Sequence, residues 1–280
     1  MKVLYTGATG QLGKALDGVL PRFGYDSHGT TRQEMDLSDP ISIENFFKGK
    51  RYDAIIASGA YTAVDKAEKE RDLCMQVNTK SAIQLCKIAE SMGAKFVLIS
   101  SDYVFDGTKD GLYETNDKVN PLNVYGLSKA LAEKEVIKYS KSFIARTSWV
   151  FGDGHNFVNT MLTLSKTHRE LKVVSDQIGS PTYAPDLAKF LADLIDTEKY
   201  GIYHCTNEGF CSWYEFAKEI FRLAKSDTIV RPILTKDYPT LARRPLNSKL
   251  DKLSIKSNGF SFLPLWKESL KEFIYKELHI

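Results

Sequence analysis

The sequence predicts an α/β fold: a doubly wound parallel sheet followed by a smaller C-terminal lobe. Two observations predict it. Through the first 150 residues, short apolar runs rich in β-branched residues alternate with longer amphipathic segments. The runs are also apolar at successive positions, as in DAIIAS (53–58) and KFVLISS (95–101), which suits strands covered by helices on both faces.

Each element follows from its pattern. KVLYTG reads as the first strand and QLGKALDGVL as the helix after it. YDSHGTT is a weaker strand, ISIENFFKGK a helix and DAIIAS a strand. RDLCMQVNTKSAIQLCKIAESMG reads as one long helix. KFVLISS is the next strand, GLSKALAEKEVIKYS the next helix and SFIARTSWV the last strand of the series. Beyond residue 150 the rhythm loosens: loops such as GDGHNF and TKDYPTLARRPLNSKLD separate helices such as WYEFAKEIFRLA. The expected organisation is one unit over residues 1–150 and, over 151–280, mainly a second lobe that closes on the first. DLAKFLADLID and GIYHCTN are candidates to return to the main sheet.

Composition narrows the function classes. The 280 residues are 43% hydrophobic, ample for a core. The 38 basic and 35 acidic residues are well mixed, so nucleic acid is not an expected partner. Cys74, Cys86, Cys205 and Cys211 form no CxxC pair, so zinc is not expected, and they read as reduced thiols of a cytoplasmic protein. No secretory leader is read, because Gly7, Gly10 and Gly13 interrupt the first apolar run, and no stretch is long enough to span a bilayer.

TGATGQLG sets Gly7, Gly10 and Gly13 directly after a strand and before a helix. The first glycine permits a tight turn, the second lets backbone approach a pyrophosphate, and the third lets helix pack on strand. A helix N-terminus then faces the anion, so a dinucleotide is the expected ligand and the sheet is of the Rossmann type. At the end of the second strand GTTRQE offers Thr30, Thr31 and Arg32 but no acid, which favours NADPH and leaves NADH open. Asp36 and Leu37 could cradle the adenine edge; equally, Asp36 or Ser38 could cap the next helix.

In NVYGLSKALAEKE, Tyr125 and Lys129 share one helical face. The strand KFVLISS should deliver Ser100 or Ser101 to the same rim. A carbonyl that takes hydride must also take a proton, and the phenol is the acid for it. Lys129 is expected to favour the phenolate and so tune Tyr125, while the serine hydroxyl stabilises developing charge on the oxygen.

TGATGQLG, the Y-G-x-S-K run and the strand-end serine resemble the extended short-chain dehydrogenase/reductases. AYTAVDKAE (60–68), SSDYVFDG (100–107), PLNVYGLSK (121–129), RTSWVFG (146–152), NFVNTM (156–161), DQIGSPT (176–182) and RRPLNSKLD (243–251) resemble the dTDP-4-dehydrorhamnose reductase family, in order along nearly the whole chain. The resemblance implies NAD(P)H-dependent reduction of the C4 ketone of dTDP-4-dehydro-β-L-rhamnose. It implies Tyr125 as proton donor, Lys129 on the nicotinamide ribose and Ser101 on the carbonyl oxygen. Gly10, Gln11, Leu12, Asp36, Leu37, Ala60, Tyr61 and Thr62 would contact the cofactor. Asp102, Tyr103 and Trp149 would line the sugar site, with Arg243 or Arg244 on the diphosphate. Ser101 replaces the usual threonine, and Ala57 and Gly59 stand where an asparagine and an alanine are expected. No acidic cluster matches the magnesium site of one branch, so no metal requirement is expected. A homodimer is one option for the assembly.

Alternatives are separable. A dehydratase of this fold carries Asp-Glu after the strand-end hydroxyl, whereas Asp102 is followed by Tyr103. An epimerase would show no net cofactor oxidation, a non-catalytic regulatory subunit would tolerate loss of Tyr125, and a reductase of another 4-keto-6-deoxy nucleotide sugar would share the same triad. Other features have plainer readings: WYEFAKEIFRLA as core packing, DKAEKERD as a solvated, salt-bridged helix face, and His204 with Cys205 as packing in an apolar strand.

Overall fold

The structure, a computed structural model, describes residues 1–278. The first half runs β1 (Lys2–Thr6), α1 (Gln11–Val19), β2 (Asp26–Thr30), α2 (Pro40–Phe47), β3 (Ala54–Ala57), α3 (Val64–Ala67), α4 (Arg71–Met75), α5 (Ser81–Met92), β4 (Lys95–Ser101), α6 (Val124–Val136) and β5 (Ser142–Thr147). Then come β6 (Val150–Phe151), α7 (Phe157–Ser165), β7 (Glu170–Val174), β8 (Ile178–Gly179), β9 (Thr182–Tyr183), α8 (Ala184–Ile195) and β10 (Gly201–His204). The chain finishes with β11 (Cys211–Ser212), α9 (Trp213–Leu223), β12 (Ile229–Ile233), α10 (Leu253–Ser257) and α11 (Trp266–Leu278).

The main sheet has six parallel strands in the order β2-β1-β3-β4-β5-β10. The period-2 alternation of strand side chains explains its uniformly apolar strands. Val3, Tyr5, Ile56 and Val97 meet Leu16 of α1 and Leu191 of α8 on one face. Leu4, Ile55, Phe96 and Leu98 meet Ile43 of α2, Leu85 of α5 and Ala132 of α6 on the other. The sheet therefore includes β10, from well beyond residue 150. A third core, with Phe151, Met161, Val173, Phe216, Phe221 and Phe273, belongs to the smaller lobe.

Two segments differ from the expected elements. The long helix over 71–93 is interrupted by a π-helical turn at Gln76–Lys80. There the buried Asn78 accepts from Tyr61 N–H at 2.8 Å and donates to the Tyr61 carbonyl at 3.0 Å and to Ser128 Oγ at 3.0 Å. Widening the helix by one residue turns Asn78 inward to make these bonds. The strand SFIARTSWV breaks after Thr147, because Ser148 Oγ donates to the Ser180 carbonyl at 2.7 Å and Trp149 takes the left-handed φ of 48°.

Candidate active site

The order β2-β1-β3 makes a topological switch point between β1 and β3, and the glycine turn sits above it. Gly7 has φ of 72°, and a Cβ there would lie 2.7 Å from Gly59 Cα. A Cβ on Gly13 would lie 2.1 Å from the Gly7 carbonyl oxygen, so only glycine lets α1 settle on the turn. No side chain caps α1 at Gly10, and its first-turn residues Gln11 and Leu12 border a cleft of about 620 Å³. A second cleft of about 280 Å³ continues from it through Gly7, Thr9 and Ala60. A turn without room for a Cβ, an open helix N-terminus and two joined clefts fit a dinucleotide.

The smaller cleft is lined by Thr30, Arg32, Asp36, Leu37 and Tyr61, and Thr62 lines the larger. The Thr30 carbonyl accepts from Ala8 N–H at 3.0 Å, tying β2 to the glycine turn. Arg32, 77% exposed, pairs with Asp36 at 3.1 Å, leaving a cation at the rim and no free acid for ribose hydroxyls. Asp36 accepts from Ser38 N–H and Oγ at 2.8 and 2.6 Å, and these bonds, with Arg32 beside it, hold its carboxyl below the usual range. Asp39, not Asp36 or Ser38, caps α2, accepting from Ile41 N–H. The departure at Gly59 has a local reason: a Cβ would meet Leu37 Cδ1 at 2.9 Å and Thr6 Oγ1 at 3.0 Å.

On the opposite wall β4 ends at Ser101 and α6 begins at Val124. Asn123 caps α6, accepting from Gly126 N–H at 2.7 Å, and Glu68 accepts from Val124 N–H at 2.8 Å. The glycine between Tyr125 and Lys129 is a contact requirement: a Cβ on Gly126 would lie 2.1 Å from the Tyr103 carbonyl oxygen. Its absence lets α6 press against the turn that carries Asp102 and Tyr103.

The two strand-end serines part company because neighbouring strand side chains point to opposite faces. Ser100 Oγ donates to Glu133 at 2.5 Å, and Glu133 is held by Arg146 at 2.7 Å in a buried ion pair. Ser101 lies beside Tyr125; its Oγ donates to Asp102 Oδ1 at 2.9 Å and accepts from Tyr103 N–H at 3.2 Å. Ser101, Asp102, Tyr103, Tyr125, Lys129 and Trp149 all border the larger cleft.

Burial dominates the electrostatics here. Burial pushes the Tyr125 phenol up, reinforced by the Asp102 carboxyl, while a hydrogen bond with Ser101 pulls it down. Lys129 Nζ donates to the Ile99 carbonyl at 2.9 Å and stands 5.9 Å from the Tyr125 ring centroid. Lys129 itself is brought down to about 8 by burial. Desolvation thus outweighs the ammonium, and the phenol keeps its proton. Burial also raises Asp102 to about 6.

The smaller lobe contributes residues that local pattern did not single out. Trp213, read as core packing, stacks on Trp149 with centroids 3.7 Å apart and lines the larger cleft, whereas Phe216 and Phe221 of the same helix are core. Trp213 also borders a further cavity of about 370 Å³, with Phe157, Met161, Tyr238 and Arg244. Arg243 is exposed and borders neither space; its carbonyl accepts from Asn123 Nδ2 at 2.8 Å. DKAEKERD is not merely a solvated face: Glu68 caps α6, and Asp65 pairs with Arg244 at 2.6 Å. His204, read as packing, is buried and neutral, its pKa driven down to about 3 by burial, and also meets Arg146 at 3.3 Å. The Ser212–Glu215 capping box, which sets Trp213 at the first position of α9, was the available signal for Trp213; nothing local marked Asp65.

Comparison with known proteins places this geometry. The family described as "RmlD substrate binding domain" matches residues 1–279. The spore coat polysaccharide biosynthesis protein SpsK of Bacillus subtilis (strain 168) is 41% identical, over 98% of this chain and 96% of that protein. The dTDP-4-dehydrorhamnose reductase of Aggregatibacter actinomycetemcomitans is 41% identical over 96% of this chain and 97% of that protein. The crystal structure of dTDP-4-dehydrorhamnose reductase from Bacillus anthracis str. Ames in complex with NADP superimposes with a TM-score of 0.95 at 41% identity, covering 98% of this chain and 99% of that one. With a whole-length family match on top of a glycine turn, switch point and Ser101–Tyr125–Lys129 wall, the chain belongs to the RmlD substrate binding domain family.

Proposed function

We propose that the chain is an oxidoreductase that uses NADPH to reduce the C4 ketone of dTDP-4-dehydro-β-L-rhamnose to dTDP-β-L-rhamnose. Relatives named for this reaction, and a relative's structure in complex with NADP, support the reading. The observation that carries it is the convergence of the Ser101 and Tyr125 hydroxyls on the cleft that the open N-terminus of α1 also faces.

Gly7, Gly10, Gln11, Leu12 and Gly13 would hold the pyrophosphate, while Thr30, Arg32, Asp36, Leu37, Ala60, Tyr61 and Thr62 would hold the adenosine end and its approach. Bound NADPH supplies the hydride that C4 accepts. Tyr125 donates its proton to the C4 oxygen, and burial, which raises its pKa, favours the protonated phenol that this step needs. The Ser101 hydroxyl turns from Asp102 to the same oxygen and stabilises charge as it builds. Lys129, fixed by the Ile99 carbonyl, would offer its remaining N–H donors to the nicotinamide ribose. Asp102, Tyr103 and the Trp149–Trp213 stack bound the sugar, and Arg244 faces the diphosphate. All four cysteines are buried and unpaired, which supports a reducing compartment, the cytoplasm.

The test is NADPH oxidation on addition of dTDP-4-dehydro-β-L-rhamnose. Tyr125→Phe should lower kcat by roughly 10²- to 10⁴-fold and leave NADPH affinity intact. No oxidation by the wild-type protein, or full turnover by the variant, refutes the reading.

A further inference from the structure

We propose that Asp65 is a positioning residue for the substrate: it clamps the strap over 238–244 to the sheet lobe and aims the Arg244 guanidinium at the diphosphate. The proposal rests on the nucleotide-sugar reading above.

Asp65 follows Thr62 and Val64, both on the wall of the larger cleft. Its Oδ2 accepts from Arg244 Nη2 at 2.6 Å, and its Oδ1 accepts from Arg244 Nη1 at 3.3 Å and from Ala242 N–H at 3.0 Å. One carboxylate thus grips both the backbone and the side chain of a segment 179 residues away. Arg244 Nη1 also donates to the Ala242 carbonyl at 3.2 Å. Asp65 Oδ1 and the Ala242 carbonyl take both Nη1 hydrogens and Asp65 Oδ2 takes one from Nη2, which leaves the second Nη2 hydrogen and the Nε hydrogen for a ligand. The Arg244 guanidinium also lies near Tyr103, whose ring meets that of Tyr125 edge-on at 5.9 Å.

Arg244 therefore lines the Trp213 cavity and lies near Tyr103, which itself borders the larger cleft beside Tyr125. A molecule with a hexose in the larger cleft and a nucleoside in the Trp213 cavity places its diphosphate at this guanidinium. The strap is seated by shape too: a Cβ on Gly107 would lie 2.7 Å from Pro245 Cα. Shape fixes where the strap lies, and Asp65 fixes which way its cation points. The Arg244 side chain is 21% exposed and that of Asp65 40%, so the pair is wet enough to exchange partners yet ordered by three bonds to one carboxylate.

The experiment uses the full chain, with binding of dTDP, thymidine and NADPH measured by calorimetry and steady-state kinetics alongside. Asp65→Asn should weaken dTDP binding and raise KM for the sugar nucleotide by roughly tenfold, with kcat, thymidine affinity and NADPH affinity each within about twofold. Asp65→Glu should recover part of the loss. Adding Asp65→Asn to Arg244→Lys should bring little further loss, because both act through one fork. Unchanged or tighter dTDP binding by Asp65→Asn, equal losses for all three ligands, or additive losses in the double variant would overturn the role of Asp65. If the wild-type protein binds no dTDP, the nucleotide-sugar reading itself falls and takes this role with it.

Discussion

Replacing Asp102 with asparagine should stabilise the protein at neutral pH and not at acid pH. Asp102 is 2% exposed, and burial raises its pKa from 3.8 to about 6. A rise of roughly two units penalises the folded carboxylate by about 3 kcal/mol. Well below the unfolded value of 3.8 both states are protonated and the penalty vanishes. As pH climbs from there, the unfolded chain loses its proton first while the folded protein still holds one, so wild-type stability falls until about pH 6 and then levels. Asparagine does not titrate, and its carbonyl can still accept from Ser101 Oγ. Asp102 Oδ2 is buried without a hydrogen-bond partner, and an amide there can donate to the nearby Ser248 hydroxyl. The stability gain of Asp102→Asn should therefore grow from near zero well below pH 3.8 to about 3 kcal/mol at pH 7, read from urea unfolding at four or five pH values. A gain that stays flat across this window, or a loss at pH 7, refutes burial as the source of the shift. Weakened reduction by the more stable variant would mark Asp102 as a residue retained for the site at the expense of the fold.

Further outcomes follow from the same coordinates. Lys129, lowered to about 8 by burial, should lose its charge as pH rises through that value, so kcat/KM for NADPH should fall on that limb; a profile level to pH 9.5 contradicts a role for the ammonium. Gly126→Ala should force α6 off the Tyr103 carbonyl, now 2.1 Å from where the methyl would go, lowering stability by about 1–3 kcal/mol and activity at least tenfold; a variant with wild-type Tm and rate refutes the contact argument. Arg32→Ala should raise KM for NADPH by roughly tenfold while sparing NADH, measured with each cofactor in turn, since only the 2′-phosphate calls for that cation.

The sequence by itself determined whatever depends on neighbours a few residues apart. Short continuous apolar runs wrote the strands, the spacing of Gly7, Gly10 and Gly13 wrote the phosphate turn, and the i, i+4 step put Tyr125 and Lys129 on one face. The sequence also contained Gly126, whose purpose became visible only against the Tyr103 carbonyl. The tertiary structure alone decided the rest. Asp65 looks like any charge on a solvated helix until the chain returns 179 residues later with Arg244. Trp213 looks like its neighbour Phe216, and only the meeting of β8 with β11 and the left-handed turn at Trp149 stack the two indoles at the cleft. Ser100 and Ser101 are alike in sequence, and the position of Glu133 claims one of them. The balance at Tyr125 was decided last, because the desolvation of a phenol sums over every group around it, and no spacing along the chain encodes that sum.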